Sequence, residues 1–377
     1  MQKNRVSGFT QDLIRIDSQN PPGNERAVAE YVFGILKQAG YNPQIIEFSP
    51  RRSNLVCMVK SEKSLKRLLV SPHLDTVPAG EGWSIPPFSG RIKSGRIYGR
   101  GASDCKGNLA VSLEVLLRLK EEGSDLYNLD IVFAATADEE TGSSLGFKPL
   151  LKRLPRLDYG LVLDGSNFQV TYAQKGLLHL RLNIFGKASH GAYPERGDNA
   201  VTKAMRSFEN IEAWVRAFNR LYRKKAKLTL NIGRIRGGSK VNMVPDECLL
   251  DLDFRFMLDI RLKDILRQLR GVIKKEAKRF SLEVLAYQPP VEVSRDNPLA
   301  DSLRGALRKN KIPCKFIVCK GATVLNFLAD SKVPSFVFGF SSSSQAHCRD
   351  EYIRVADLNK GADVLKDLLI RLDKCQT

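Results

Sequence analysis

Histidine is scarce in this chain, four in 377 residues. One stands in Ser71-Pro-His-Leu-Asp-Thr-Val-Pro78, two residues before an aspartate and just after the apolar run Leu68-Leu-Val70. In extended chain, residues i and i+2 point to the same side, so the His73 imidazole can take a metal ion while Asp75 holds its other ring nitrogen. Two more apolar runs end in carboxylates: Asp138-Glu-Glu140 follows the run from Leu129 to Thr136, and Asp164 follows Tyr159-Gly-Leu-Val-Leu163. Neighbouring Glu139 and Glu140 point differently, which suits one to bind metal and the other to handle a proton. A glycine-rich turn, Tyr98-Gly-Arg-Gly-Ala-Ser-Asp-Cys-Lys-Gly107, delivers Asp104 at the start of the next helix. One histidine with several carboxylates per ion is the donor set of a hydrolytic zinc or cobalt pair, whereas a structural zinc would draw on cysteines. Each feature alone is commonplace: H-x-D pairs are usually structural, Glu-Glu in a loop is usually solvated, and a glycine turn with an aspartate is usually only a turn. Their coincidence at three strand ends is what points to a metal site.

The elements that must bring these residues together are legible as a pattern. After a helix from Ala27 to Ala39, preceded by the Pro-Pro-Gly-Asn turn at 21–24, the runs Leu68–Val70, Leu129–Thr136 and Tyr159–Leu163 read as buried strands, with a helix from Leu109 to Leu119 between them. This is an α/β layer with a mostly parallel sheet, in which ligands bind outside the carboxyl ends of the strands. From Lys175 the period changes. Strands at Leu177–Ile184, Leu228–Ile235, Cys248–Phe256 and Leu282–Tyr287 alternate with helices at Ala200–Tyr222 and Leu262–Phe280, the βαββαβ order of a ferredoxin-like unit. Val333–Phe338 returns to α/β character. The expected organisation is a three-layer αβα domain in two parts, residues 1–174 and 289–377, interrupted by an inserted ferredoxin-like unit at 175–288.

Composition narrows the classes of function. A formal net charge of +19 first suggests nucleic acid, but 24 basic against 12 acidic residues lie between Lys175 and Gln288, many in runs such as Arg223-Lys-Lys-Ala-Lys227 with apolar residues between them. That is the pattern of solvated helix faces, and no aromatic-rich RNA motif or recognition helix accompanies it, so no nucleic-acid partner is expected. The same positive field would draw in small carboxylate substrates. No apolar stretch approaches the roughly 18 residues of a membrane span, and the first residues lack a signal peptide's apolar segment. The seven cysteines are odd in number and form no C-x-x-C pair, as expected of reduced thiols in the cytoplasm.

The set His73-Leu-Asp-Thr-Val-Pro78, Gly99-Arg-Gly-Ala-Ser-Asp-Cys-Lys-Gly107, Asp138-Glu-Glu-Thr-Gly142, Asp164 and Ala346-His-Cys-Arg-Asp-Glu-Tyr352 resembles the di-zinc metallopeptidase family of acetylornithine deacetylase, succinyl-diaminopimelate desuccinylase, aminoacylase and glutamate carboxypeptidase. The resemblance runs from about residue 10 to about 370. It implies two divalent ions per subunit, zinc or alternatively cobalt, with His73, Asp104 and Asp164 on one ion and Asp104, Glu140 and His347 on the other. It also implies that Asp75 orients His73 and that Glu139 is the general base toward the attacking water. Two departures stand out: the family more often carries Glu at the position of Asp164 and Met at that of Cys105. In the insertion, Phe185-Gly-Lys-Ala-Ser-His-Gly-Ala-Tyr-Pro194 with Gly197-Asp-Asn-Ala200 resembles the family's dimerisation segment, which implies a homodimer and an oxyanion-stabilising role for His190. Val241-Asn-Met-Val-Pro245 and Asp253-Phe-Arg255 resemble its substrate-carboxylate positions, implicating Asn242 and Arg255. Gly321-Ala-Thr323 resembles a substrate-side loop, implicating Gly321 and Thr323. Val324-Leu325 replace the polar residue usual after that loop, so a more apolar pocket wall is expected there. His179, inside an alternating strand, reads as structural.

The expected activity is metal-assisted hydrolysis of the amide bond of an N-acyl amino acid or small peptide bearing a free carboxylate. A dipeptidase or glutamate-carboxypeptidase type of exopeptidase on the same residues stays open.

Overall fold

The computed structural model describes residues 5–123, 126–221, 227–257, 261–319, 321 and 323–375. The chain divides into two compact units, Met1–Tyr172 with Val293–Val318 and Thr323–Thr377, and Ala173–Glu292 with Cys319–Ala322.

In the first unit the sheet runs in the order Gln44–Ser49, Arg52–Val59, Leu129–Ala135, Lys66–Ser71, Tyr159–Leu163, Ser335–Phe338 and Val170–Gln174, the last of which crosses into the second unit at Ala173. The four strands at its centre, Leu129–Ala135 through Ser335–Phe338, are parallel, and the flanking pairs are antiparallel. Leu129–Ala135 is buried along its whole length, as a central strand covered on both faces must be. Its side chains, like those of its neighbours, alternate. Leu68, Val70, Ile131, Phe133, Leu161, Leu163, Phe336 and Phe338 join one large core with helices Glu25–Gln38, Gly107–Glu121, Pro298–Lys309 and Val355–Lys374. Leu69, Val132, Val162 and Val337, also buried, point the other way. On that side two short helices, Phe147–Leu151 and Leu325–Asp330, bring Phe147 and Phe327 into a stack with ring centroids 6.3 Å apart. The αβα sandwich is therefore unequal, thick on one face and thin on the other.

The second unit is a four-stranded antiparallel sheet with strands in the order Thr229–Gly237, Glu247–Phe256, Gly176–Phe185 and Phe280–Gln288. Counted along the chain from the last strand, that order is fourth, first, third, second, with helices Ala200–Leu221 and Leu262–Ile273 between strands, which is the ferredoxin-like arrangement. Leu178, Leu180, Leu182 and Ile184 alternate inward and meet Ala204, Ile211, Ile265 and Leu269. The opposite face carries the charges: Arg181 and Arg234 both pair with Asp251, at 2.8 and 2.9 Å. His179 lies 3.5 Å from Asp253 on this face.

Three expectations need adjustment. The helix expected to run to Phe280 ends at Ile273, because Phe280 opens the last strand, where it pairs with Ile184. The helix expected to reach Tyr222 is described to Leu221, and Tyr222 lies outside the described residues. A helix at Arg5–Arg15 precedes the one expected first; its residues Val6, Leu13 and Ile14 enter the main core.

Candidate metal centre

His73 sits just past Lys66–Ser71, where the parallel ladder continues for one more bridge: Leu74 N–H donates to Thr136 O at 2.8 Å, and Thr136 N–H to Pro72 O at 3.0 Å. Asp104 is set by the glycine turn. Gly101 has φ +84°, and a Cβ there would lie 2.7 Å from Thr76 Cγ2, so both conformation and space demand glycine. The Asp104–Cys105 peptide is cis. Glu139 and Glu140 open a short helical turn after Leu129–Ala135, and Asp164 follows Tyr159–Leu163. His347 lies in the loop after Ser335–Phe338, with φ +61°.

Behind Asp164 the chain is packed without slack, since a Cβ on Gly339 would stand 1.7 Å from the Asp164 carbonyl oxygen. Gly339→Ala is expected to destabilise the fold by about 3 kcal/mol or more, because main chain rather than a flexible side chain would have to move. Thermal or denaturant unfolding checks this; a midpoint within a degree of the parent's would contradict it.

Ligand-type atoms of His73, Asp104 and Asp164 lie within 4.8 Å of one another, as do those of Asp104, Glu140 and His347. His73 Nε2 is 2.9 Å from Asp104 Oδ1, and His347 Nε2 is 3.4 Å from Asp104 Oδ2 and 3.2 Å from Glu140 Oε2. The Asp104 carboxylate thus faces both groups, one oxygen to each histidine. Glu139 is in neither cluster.

The electrostatics are those of a site short of positive charge. Burial, reinforced by Asp104, pushes the Asp164 carboxyl up to about 7, and burial raises Glu140. Glu139 is driven well above the usual carboxylate range by burial, with Glu140, Asp164 and Asp104 adding repulsion. Asp104 is the exception: burial pushes it up, but hydrogen bonds from His347 and His73 hold it well below the usual range. Those bonds to Asp104 and Glu140 raise His347 to about 10. The imidazoles serve as the cluster's counter-charges, the place that divalent cations take when they bind and release protons. Glu140 Oε1 is buried with no hydrogen-bond partner. An orphaned carboxylate oxygen beside two overlapping sets of nitrogen and oxygen donors fits a pair of divalent ions.

The residues around the clusters hold them in shape. His73 Nδ1 lies 3.0 Å from the Asp75 main-chain carbonyl and 3.5 Å from its carboxylate. The Asp75 carboxylate itself accepts the main-chain N–H of Glu139 and of Glu140, both at 3.1 Å, and the Asn20 amide at 2.9 Å. Asp75 therefore ties the His73 strand end to the Glu139–Glu140 turn. Asn20 and Arg52 are additions that sequence reading missed. The Asn20 amide also reaches Thr141 at 2.9 Å, and Arg52 pairs with Glu25 and Asp138 at 2.8 and 2.9 Å. No spacing pattern marks them, because they act from distant segments. The Cys105 thiol is buried and donates to Leu163 O at 3.3 Å.

His190, Asn242, Arg255 and Gly321 belong to the second unit. There His190 bridges Met243, Gly191 N–H donates to Asn242 O at 2.8 Å, and Arg255 pairs with Asp253 at 2.8 Å. Thr323 belongs to the first unit, where its hydroxyl accepts Leu325 N–H at 3.2 Å; Ala322 lies outside the described residues. Val324 and Leu325 are both buried at the start of helix Leu325–Asp330.

The family model described as peptidase family M20/M25/M40 matches residues 69–371. A probable succinyl-diaminopimelate desuccinylase of Staphylococcus aureus (strain MSSA476) is 27% identical, the match covering 96% of this chain and 95% of the relative. An acetylornithine deacetylase of Vibrio campbellii is 26% identical with the same coverage. Among solved structures, a tripeptidase from Staphylococcus aureus superposes with a TM-score of 0.83 at 22% identity, covering 98% of both chains.

Proposed function

We propose, given that this chain belongs to peptidase family M20/M25/M40 and is a metal-dependent hydrolase of acyl-amino acids or peptides, that its reaction is removal of the acyl group from an N-acyl amino acid bearing a free carboxylate. The observation that carries the site assignment is the pair of donor clusters sharing Asp104, with a buried Glu140 oxygen left unpartnered.

In this reading His73, Asp104 and Asp164 hold one divalent ion and Asp104, Glu140 and His347 the other, zinc being the first choice and cobalt the second. When bound, such ions polarise an amide carbonyl and lower the pKa of the attacking water. The protein's own part is to place and move protons. Glu139, outside both ligand sets, takes the proton of the attacking water and returns it to the leaving nitrogen. Asp75 keeps His73 and the Glu139–Glu140 turn in register. His190 is assigned to the developing oxyanion, Arg255 and Asn242 to the substrate carboxylate, and Gly321 and Thr323 to the substrate side, on the resemblance of their segments to the family's. The second unit is assigned to homodimer formation. We place the enzyme in the cytoplasm on its free cysteines.

A second reading, cleavage of a short peptide by the same residues, is favoured by the tripeptidase likeness. A panel of N-acetyl and N-succinyl amino acids and di- and tripeptides, assayed with zinc or cobalt, decides between them. Deacylation with kcat/KM at least tenfold above any peptide is the expected result; the reverse order establishes the second reading. Removal of metal by a chelator is expected to lower activity on the best substrate more than about 100-fold, restored by zinc. Full activity after chelation, with no metal left by elemental analysis, would remove the basis of both readings.

A further inference from the structure

Glu351 stands four residues after His347 and is fully buried. Its carboxylate is surrounded by donors from another segment. Oε1 accepts the main-chain N–H of Ser103 at 2.7 Å and of Asp104 at 3.0 Å, while Oε2 accepts Gly101 N–H at 3.0 Å and Arg100 Nη1 at 2.8 Å. The Glu351 main-chain carbonyl takes Gly99 N–H at 2.8 Å. Further ties join the same two segments: Arg100 Nη1 reaches Cys348 O at 3.2 Å, Ser103 Oγ reaches Ser342 O at 2.9 Å, and Ser341 Oγ reaches Ser103 O at 2.6 Å. One carboxylate thereby gathers the turn that carries Asp104 onto the loop that carries His347.

From this we infer that Glu351 is a positioning residue that holds Asp104 and His347 at ligand distance from one another, an inference that rests on the di-metal reading of the site. Two donors meet each oxygen, so only a group with two acceptor ends satisfies the turn. Glutamine keeps the shape but aims an amide NH2 at two donors in either orientation, leaving them buried and unmatched. The turn would then relax, and Asp104, whose own N–H is one of the four donors, would move with it. The expected consequence falls on metal affinity before it falls on overall folding, because the strands on either side have their own ladders.

The test is a zinc titration of metal-stripped protein against a chromophoric chelator, for the full chain and for Glu351→Gln and Ser341→Ala. Circular dichroism and unfolding midpoints confirm that each variant is folded. Wild type should take up two equivalents. Glu351→Gln should bind the more weakly held equivalent about 10- to 100-fold less tightly, the usual effect of losing a group that supports a ligand, and its hydrolysis should be rescued by excess zinc. If Glu351→Gln does not fold, Ser341→Ala decides, with an expected weakening of about threefold or more. Folded variants that bind two equivalents as tightly as wild type would overturn the inference while leaving the di-metal reading intact. Wild-type protein that takes up no zinc would overturn both.

Discussion

Glu139→Ala is expected to lower kcat by about 10³-fold while two equivalents of metal stay bound. The magnitude is that of a general base removed from its proton. The separation of effects follows from geometry, since Glu139 is half-buried beside both donor clusters yet belongs to neither. Burial and the neighbouring carboxylates raise its affinity for a proton, which makes the ionised form a stronger base than an exposed glutamate. Glu139→Gln should do nearly as much damage, since it preserves volume and loses only the basic oxygen. Elemental analysis and steady-state kinetics on the same preparation decide the matter. Loss of one metal with activity largely kept would mean that the roles of Glu139 and Glu140 are exchanged.

Asp104→Ala should be more severe, because its two oxygens face different histidines. Both equivalents of metal are expected to weaken by on the order of 100-fold or more, and activity should fall to background at ordinary zinc concentrations. His347→Ala supplies the contrast. It removes a donor from one cluster alone, so it should loosen one equivalent and leave the other near its wild-type affinity. A competition titration reads both. An Asp104→Ala protein that still holds two equivalents tightly would show that the clusters do not share this carboxylate.

The site was legible in sequence to the extent that a parallel sheet advertises its carboxyl ends. Leu68–Val70, Ile131–Ala135 and Tyr159–Leu163 are apolar runs, and His73, Asp138-Glu-Glu140 and Asp164 stand just beyond where each run stops. The supports were not legible. Asn20 reaches Asp75 across 55 positions, and Glu351 reaches Ser103 and Asp104 across nearly 250. A hydrogen bond between distant segments leaves no period in either one. Helix Arg5–Arg15 escaped notice for a local reason: Val6, Gly8 and Thr10 are poor helix formers, and the helix is held by what Val6, Leu13 and Ile14 bury. The charged run Lys274–Arg279 erred the other way, its high helical propensity overridden by the pairing of Phe280 with Ile184.

The long excursion of the chain into the second unit, Ala173–Glu292, begins and ends on one antiparallel seam, and Cys319–Ala322 join that unit separately. Ala173 is opposite Glu292 and Gln174 opposite Val291, and Val293 N–H donates to Tyr172 O at 2.8 Å. Topologically this is a β-hairpin whose turn happens to be a folded body. A flexible excursion of that length would carry a loop-closure entropy penalty growing with the logarithm of its size. An excursion with its own sheet and core has its ends held together by that structure, which offsets much of that penalty. The two ends stand one strand spacing apart, a gap that a two-residue turn closes in an ordinary hairpin, so the excursion leaves the register of the host strands unbroken.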